Sequence, residues 1–460
     1  MSPGVFQRKE TLPLVFPARA YNYCPRPTNR NNSGVRALLW PGTYDCKNLG
    51  DLAMLQVAVE RLSRGVPGSA IRVLTQEPDE LRRFCPQAMP VSLRGWDRVR
   101  EARILPRWAQ RRNGDSARPP GALFLRFWLV KAALLRGKYA AGRGFLREFE
   151  DTDVVFLAGC GLLNDHFVKL SLNVLALLEM ALNCGKPVAL LSQGIGPMEN
   201  PTLRDRAAQI LPRARSIFIR DNDMTPALLE RLGVAPAKIT STGDDAVALA
   251  WNARPNRIGS ALGFNLRLST YSGVTEQTLA AIREVLAATA ARHGLSLLGV
   301  PIARGNRECD IATAQRMLDG LNVRGDAGSD ANTPQKAIDR VAQCRLVVTG
   351  SYHGAVFALA QGIPAVCIAA NVYYANKFLG LVHAFGEGCT VLRADDNGFT
   401  EALLTAINDY WNKADQLRPA LLHEAERQVQ SAERAYAALL SELRPESAGR
   451  VTSQAMASPA

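Results

Sequence analysis

One histidine of this chain lies between an apolar strand pattern and an apolar helix pattern. Val347-Val348-Thr349-Gly350 predicts the end of a strand, Ala355-Val356-Phe357-Ala358 predicts the helix, and His353 stands between them. In open α/β sheets, ligands bind at the carboxyl edge of the strands, where loops and helix N-termini converge. Because imidazole titrates near neutrality, His353 is a candidate for proton transfer. The alternative is a histidine that caps or packs at the start of a helix.

Short segments that contain glycine follow three further strand patterns and can approach an anion closely. A helix that begins after such a turn presents backbone N–H groups and its positive dipole end to a ligand. The candidate substrate-binding residues of these segments are Asn48, Asp51, Gly159, Gly161, Gln193 and Gly194. Asn48 and Asp51 equally fit a helix cap and first turn, and the glycines equally fit close helix–strand packing.

Three basic side chains are expected to face one cleft. Arg220 follows the fifth strand pattern, Arg267 follows the first strand of the second half, and Lys377 follows the last clear strand. A guanidinium holds a carboxylate or phosphate through two parallel hydrogen bonds. The alternative for Arg220 is a pair with Asp221 or Asp223 alone.

The sequence gives no sign of a metal or nucleotide cofactor. It contains neither a Walker A loop nor Gly-x-Gly-x-x-Gly, and no His, Cys and carboxylate cluster has metal-ligand spacing. Asp244 and Asp245 are adjacent acids, but neighbouring side chains of an extended chain point in opposite directions, so a shared metal is not expected. We therefore predict no metal and no cofactor.

Composition limits the class of protein and of partner. The 460 residues are 47% hydrophobic and 21% charged, which fits a globular protein of two domains. The formal charge of +13 predicts attraction to anions, but no nucleic-acid-binding motif accompanies it, and no nucleic-acid partner is predicted. The nine cysteines contain no Cys-x-x-Cys pair, which favours a reduced, cytoplasmic setting.

Both halves of the chain alternate strand and helix patterns, as in βαβ units around a parallel sheet. The predicted strands are Val35–Trp40, Ile71–Leu74, Val154–Leu157, Val188–Leu191, Ser216–Ile219, Ala261–Leu266, Ser296–Val300, Arg345–Thr349 and Ala365–Ile368. The expected units are a flexible arm over 1–34, an α/β domain over 35–252, a second over 258–396, a helical segment over 397–443 and a disordered tail over 444–460. A cleft between the two halves is the expected binding site.

A basic insertion over about 90–150 separates the second and third predicted strands. Its apolar stretch Gly121–Leu135 is shorter than the ~20 residues that span a bilayer, and it contains Arg126 and Lys131. Together with the surrounding arginines, it fits a basic amphipathic helix on an anionic membrane surface. It also fits a covering helix whose basic face is solvated.

Six short segments between about Leu38 and Leu381 together resemble the polysaccharide pyruvyl transferase family. They are Asn48-Leu49-Gly50-Asp51, Gly159-Cys160-Gly161-Leu162-Leu163, Gln193-Gly194-Ile195-Gly196-Pro197, Arg220-Asp221, Tyr352-His353-Gly354 and Gly362-Ile363-Pro364. The resemblance implies an α/β fold of two facing Rossmann-like domains, similar to the GT-B glycosyltransferases, with a central cleft and a helical C-terminal segment.

The family transfers the enolpyruvyl carbons of phosphoenolpyruvate onto sugar hydroxyls of bacterial surface polysaccharides, usually forming a cyclic ketal and releasing phosphate. The resemblance implies His353 as the acid that protonates the methylene carbon, or as the base for the hydroxyl. It implies Arg220 and the glycine turns as donor ligands, with Ser351 and Tyr352 beside them. Family members commonly have an arginine where this chain has Ser351; Arg267, Arg304 or Lys377 are candidates to replace it.

The expected function is therefore transfer of a pyruvyl group from phosphoenolpyruvate to a nucleotide- or lipid-linked saccharide during exopolysaccharide or capsule biosynthesis. The expected location is the cytoplasm or the inner face of the membrane. Two alternatives stay open. One is a GT-B-like glycosyltransferase that uses a nucleotide sugar, and the other is a non-catalytic saccharide-binding protein of the same fold.

Overall fold

The computed structural model of the protein describes residues 34–100, 140–268, 273–305 and 308–443. Nearly all of the predicted N-terminal arm, the centre of the basic insertion with its apolar stretch Gly121–Leu135, and the tail over 444–460 lie outside the described residues. None of the helices within the described ranges is long and apolar enough to cross a membrane.

The first half folds around a parallel sheet that has seven strands in the described part of the chain, in the order β3-β2-β1-β4-β5-β6-β7. The strands are β1 (Arg36–Trp40), β2 (Ala70–Thr75), β3 (Ala88–Ser92), β4 (Val154–Leu157), β5 (Val188–Gln193), β6 (Ser216–Ile219) and β7 (Ile239–Ser241). Every residue of β4 and β5 is buried, because helices cover both faces of the sheet.

The second half folds around a parallel sheet with six described strands, in the order β12-β9-β8-β13-β14-β15. These strands are β8 (Ala261–Asn265), β9 (Leu297–Gly299), β12 (Gly325–Asp326), β13 (Cys344–Thr349), β14 (Ala365–Ala369) and β15 (Cys389–Arg393). A short antiparallel pair, β10 (Arg304–Gly305) with β11 (Glu308–Cys309), projects from the connection after β9.

Helices connect the strands of both sheets. Those of the first half are α1 (Leu49–Gly65), α2 (Pro78–Phe84), α3 (Ala140–Glu150), α4 (Val168–Asn183), α5 (Pro201–Ile210), α6 (Met224–Arg231) and α7 (Ala246–Asn252). Those of the second half are α8 (Glu276–His293), α9 (Asp310–Leu318), α10 (Pro334–Val341), α11 (Tyr352–Ala360), α12 (Val372–Phe385) and α13 (Phe399–Leu443).

Helix α13 has 45 residues and contacts both halves. In its first half, Asp415 forms an ion pair with Arg345 of the second sheet over 2.7 Å. Near its end, the hydroxyl of Tyr436 donates to Asp245 of the first half over 2.8 Å. The helix therefore ties the two α/β halves together.

The halves also meet at the N-terminus of α1. The backbone N–H of Leu49 donates to the carbonyl of Ile302 over 2.8 Å, and that of Arg304 donates to the carbonyl of Lys47 over 2.9 Å. One apolar cluster continues from α1 into the second sheet. In each sheet, successive strands are added first toward one edge and then toward the other; the change of direction lies between β1 and β4 and between β8 and β13. Because the connections on the two sides of this point lead away from each other, each sheet has a crevice there at its carboxyl edge.

The predicted fold class, two facing Rossmann-like domains with a helical C-terminal segment, is confirmed. The predicted place of the insertion, between the second and third strands, is wrong, because β3 was not predicted and the insertion lies between the third strand and the fourth. Residues 253–260 connect α7 to β8. Lys377, predicted only to follow a strand, lies within α12.

Candidate anion-binding site between the two halves

A pocket lies between the carboxyl edge of the first sheet and helices α11 and α12 of the second half. Its empty volume, including space open to solvent, is about 550 Å³. The first half contributes loops that follow β4, β5 and β6, among them Gly161, Gly194 and Arg220. The second half contributes Tyr352 and Lys377. Five of the predicted site residues thus meet in one pocket.

Arg220 follows β6 directly, and its guanidinium lies at the inner wall of the pocket. Its Nη1 donates to Oδ2 of Asp244 over 3.0 Å, and its guanidinium carbon lies 4.2 Å from the centre of the Tyr352 ring. Burial opposes the charge, but attraction to Tyr352 and Asp244 raises the pKa of Arg220 above its ordinary value. The pair with Asp221 or Asp223 considered from the sequence is wrong, since Asp221 accepts from Thr225 and Asp223 contacts His383.

The glycines beside Arg220 provide the space that its guanidinium occupies. A Cβ at Gly161 would lie 2.9 Å from Nη2 of Arg220, and a Cβ at Gly194 would lie 2.8 Å from Nε. The chain enters this turn through Ser192, whose φ of 50° is in the left-handed region. The hydroxyl of Ser192 donates to the carbonyl of Gly243 over 2.9 Å, which holds the turn against the loop after β7.

Lys377 reaches the pocket from α12 and lies among aromatic rings. Its Nζ is 5.2 Å from the ring centre of Tyr352, 5.1 Å from that of Tyr373 and 5.7 Å from that of Tyr374. Burial lowers the pKa of Lys377 to about 7, and repulsion from Arg220 acts in the same direction. The pocket therefore holds one permanent cation and one cation that can lose its proton near neutrality.

His353 lies behind the pocket. Its Nε2 is 3.7 Å from Oδ2 of Asp244, and its ring packs on Gly50 in the first turn of α1. Asp244 is buried between the imidazole and the guanidinium of Arg220. Burial acts to raise the pKa of Asp244, but contact with His353 and the charge of Arg220 outweigh it and lower that pKa.

Asp244 is the site residue that sequence reasoning missed. Asp244 faces Arg220, whereas Asp245 contacts Arg61 and Tyr436, so the two side chains point in different directions. From the sequence, neither carboxylate was given a role. The available signal was the position of Asp244 three residues after an edge strand, at the carboxyl edge of the sheet.

The remaining predicted residues lie outside the lining of the pocket. Asn48 caps α1, since its Oδ1 accepts from the N–H groups of Gly50 and Asp51 over 3.0 and 3.2 Å. Gln193 is fully buried and donates to the carbonyl of Ala158 over 2.8 Å. Arg267 forms a buried ion pair with Asp310 over 2.7 Å.

Three more predicted residues have the following surroundings. Gly159 packs on Met54, where a Cβ would lie 2.2 Å from the methionine methyl carbon. Ser351 precedes α11, and its backbone N–H donates to Thr349 over 2.9 Å. Asp51, in the first turn of α1, is one of the charges that act on Arg220 and Lys377. No group of three metal-ligating side chains occurs within the described ranges.

Similar folds occur among solved structures of UDP-GlcNAc 2-epimerases and of a glycotransferase. UDP-GlcNAc 2-epimerase from Neisseria meningitidis bound to UDP-GlcNAc is 10% identical, with a TM-score of 0.51 over 89% of this chain and 100% of that chain. UDP-GlcNAc 2-epimerase from Methanocaldococcus jannaschii is 11% identical, with a TM-score of 0.51 over 88% and 99%. The glycotransferase of kitacinnamycin is 13% identical, with a TM-score of 0.50 over 90% and 100%. These likenesses show a GT-B fold.

No curated protein sequence matches the chain. The sequence model of the family described as "Polysaccharide pyruvyl transferase" matches residues 48–371, which include the glycine turns, Arg220, Asp244 and His353. This match covers most of both sheets and every wall of the pocket except the part that α12 contributes. The chain belongs to the polysaccharide pyruvyl transferase family.

Proposed function

We propose that the protein transfers a pyruvyl group from phosphoenolpyruvate to a nucleotide- or lipid-linked saccharide in bacterial exopolysaccharide or capsule biosynthesis. Membership of the family supports a transferase of this kind. The observation that carries the choice of donor is the meeting of Arg220 and Lys377 in one pocket between the halves. A donor with two anionic groups fits two cations that come to one pocket from different halves of the chain.

The surroundings of the two cations match the chemistry of phosphoenolpyruvate. Arg220 offers a planar fork for a carboxylate or phosphate, and Lys377 offers a compact ammonium. The glycine turns at Gly161 and Gly194 let backbone come close to the same anion. Tyr352 and Tyr373 supply apolar ring surface for the methylene carbon.

Part of the pocket lining suits a saccharide acceptor. Asp221, Asp223 and Asn376 belong to it, and amide and carboxylate groups form hydrogen bonds with sugar hydroxyls. The acids and amides lie on the pocket wall, while Arg220 and Lys377 provide its positive charge. An acceptor hydroxyl can therefore approach a donor that the cations already hold.

His353 acts on the donor site indirectly, through Asp244. Its Nε2 faces Asp244, and Asp244 in turn holds Arg220. We propose that the imidazole positions this carboxylate, and hence the guanidinium that binds the donor. The more direct role of His353 as acid or base stays a prediction.

We place the reaction in the cytoplasm or at the inner face of the membrane, where nucleotide- and lipid-linked saccharides are made. Seven cysteines of the described residues are free thiols, which supports a reduced setting: Cys46, Cys85, Cys160, Cys309, Cys344, Cys367 and Cys389. Contact of the basic insertion with anionic lipid is part of the proposal. Binding to vesicles of phosphatidylglycerol at low salt, and its absence from neutral vesicles, would support that contact.

The test is to incubate the purified protein with phosphoenolpyruvate and a panel of nucleotide- and lipid-linked sugars, and to measure phosphate release and product mass. We expect phosphate release and a pyruvyl mass gain. Arg220→Ala and His353→Ala should abolish both, and Arg316→Ala, at an exposed ion pair with Glu276, should not.

A second candidate function is glycosyl transfer from a nucleotide sugar. It is favoured by Ser351, which leaves α11 without the arginine that family members commonly use for the donor, and by solved GT-B structures of sugar-nucleotide enzymes. Turnover of a nucleotide sugar without phosphoenolpyruvate would establish it and refute pyruvyl transfer. A saccharide-binding protein without activity would bind the sugars, and would bind them equally well after His353→Ala.

A further inference from the structure

Ketal formation from phosphoenolpyruvate needs a proton for the methylene carbon. Two side chains near the pocket are candidates to donate it, His353 and Lys377, and they differ in whether they face the pocket. The Nε2 of His353 is buried and has no hydrogen-bond partner within the described residues. On the other side of the ring, a Cβ at Gly50 would lie only 2.1 Å from Nδ1, so the backbone of α1 covers that nitrogen. Neither ring nitrogen faces the pocket.

Lys377, in contrast, lines the pocket directly. Its Nζ lies within 6 Å of three ring centres. A Cβ at Gly161 would lie 3.6 Å from this Nζ and 2.9 Å from Nη2 of Arg220, so both cations stand beside the same glycine. It forms no ion pair with a carboxylate of the described part of the chain, so its protons are directed at the pocket rather than held by a partner. We infer that Lys377 is the acid that protonates the methylene carbon of the bound enolpyruvyl donor, an inference that rests on the proposed function.

The electrostatic surroundings of Lys377 support this role. The charged and titratable groups that face it from neighbouring elements are Arg220, Asp51, Asp244, Cys160, Tyr352, Tyr373 and Tyr374. Burial is the main cause that lowers the pKa of Lys377 to about 7, and Arg220 adds to it, against the carboxylates. A general acid works best when its pKa lies near the working pH.

The two cations then have separate tasks. Arg220 keeps its proton under all conditions and can only bind and orient the donor. Lys377 can bind the donor as an ammonium ion and also give a proton away. Both cations lie against the ring of Tyr352. One donor molecule can therefore contact Arg220 and Lys377 at the same time.

The step balances in atoms and charge. The ammonium of Lys377 gives one proton to the methylene carbon, whose π bond supplies the electrons for the new C–H bond. The methylene becomes a methyl group, and the adjacent carbon, still bonded to it, becomes an oxocarbenium centre. An acceptor hydroxyl forms the first C–O bond and loses its proton, which restores the ammonium. The C–O bond to phosphate then breaks, a second hydroxyl closes the ketal, and its proton leaves with the phosphate.

The experiment compares Lys377→Arg and Lys377→Met with the wild type, and uses Lys413→Arg, at an exposed ion pair on α13, as the matched control. Binding of phosphoenolpyruvate is measured by calorimetry and transfer by phosphate release from pH 5.5 to 9. We expect Lys377→Arg to bind the donor within about 3-fold of wild type but to lose about 100-fold or more in kcat, the usual effect of a general acid. Lys377→Met should lose both binding and turnover.

The pH profile separates an acid from a residue that only packs. In the wild type, and in the residual activity of His353→Gln, kcat/KM should fall as the pH rises through the pKa of Lys377, because the acid must be protonated. The residual activity of Lys377→Arg should lack this fall. Near-normal kcat in Lys377→Arg, or an alkaline fall that disappears in His353→Gln instead, would overturn the inference while pyruvyl transfer itself stands. A wild type that releases no phosphate would refute the proposed function and the inference with it.

Discussion

Arg220 donates from Nη1 to Oδ2 of Asp244 over 3.0 Å, and both side chains are almost wholly buried at the inner wall of the pocket. Breaking a buried pair by removing one partner is costly, because the remaining charge is left without compensation. The carboxylate therefore determines where the guanidinium stands before any donor arrives.

Asp244→Asn should lower the free energy of unfolding by about 3 kcal/mol and reduce phosphate release strongly. Added phosphate or phosphoenolpyruvate should raise the melting temperature of this variant more than that of the wild type, because an anion in the pocket replaces the lost carboxylate as partner of Arg220. Urea unfolding and thermal shift measure both effects. Asp330→Asn, at an exposed partner of Arg340, is the control and should change stability by less than about 1 kcal/mol.

The contact between Gly50 and His353 gives a second prediction. A Cβ at Gly50 would lie 2.0 Å from Cγ and 2.4 Å from Cβ of His353, and no rotation of the imidazole moves its own Cβ away. Gly50→Ala should therefore push α1 and α11 apart and cost about 2 kcal/mol in urea unfolding.

The matched control for this prediction is Gly144→Ala on α3, where nothing lies within 4 Å of the added Cβ. Alanine favours a helix over glycine by up to about 1 kcal/mol, so this variant should be as stable as the wild type or more so. Equal stability of the two variants would show that α1 and α11 are not packed as described.

The central strands could be predicted from the sequence, whereas the edge strands could not. Strands β4 and β6 match their predicted bounds because each is a short apolar run that a parallel sheet buries on both faces. Strand β3 contains Met89, Pro90 and Ser92, and its burial alternates, as an edge position allows. Edge strands β7 and β15 are also only partly buried, so their sequences carry no strong apolar signal.

The glycine turns and Arg220 could be expected to lie close together from the sequence. Each of them follows a parallel strand of the first sheet, and the carboxyl ends of parallel strands share one edge. Arg267 obeys the same rule but pairs with Asp310, a contact between residues 43 positions apart that no local pattern encodes. The choice between Asp244 and Asp245 likewise depends on α13, which contacts the Asp245 side and packs Gln428 against Gly243.

Tyr436 tests how far α13 supports the site. Its hydroxyl donates to Oδ2 of Asp245 over 2.8 Å, and burial raises the pKa of Asp245 to about 6 despite the charge of Arg61. Tyr436→Phe leaves a buried carboxylate with one donor fewer, which should cost about 1–3 kcal/mol in urea unfolding. Ser441→Ala, which removes an exposed hydrogen bond within the same helix, should leave stability unchanged.

Lys377 makes stability depend on pH in a direction that can be checked. Its pKa in the folded protein, about 7, lies below the ordinary lysine value of 10.5, so between these values the unfolded chain binds more protons than the folded one. Stability then rises with pH across this range, by at most about 1.4 kcal/mol per pH unit for one proton, and the full cost of burying the ammonium applies below pH 7.

Lys377→Met removes the cost of burying this ammonium. This variant should be more stable than the wild type at pH 6.5, and the difference in stability should be smaller at pH 9.5. The difference at pH 6.5 should also become smaller when phosphoenolpyruvate is present, because an anion stabilises the ammonium form of Lys377 in the wild type. Urea unfolding of both proteins at pH 6.5, 8 and 9.5 measures the difference.

The control is Lys413→Met, which removes an exposed lysine. The hydrogen bond of Lys413 with Asp409 raises its pKa instead, so this variant should show no such trend with pH. An advantage of Lys377→Met that stays constant from pH 6.5 to 9.5 would mean that Lys377 keeps its proton throughout, and would contradict both this prediction and the acid role.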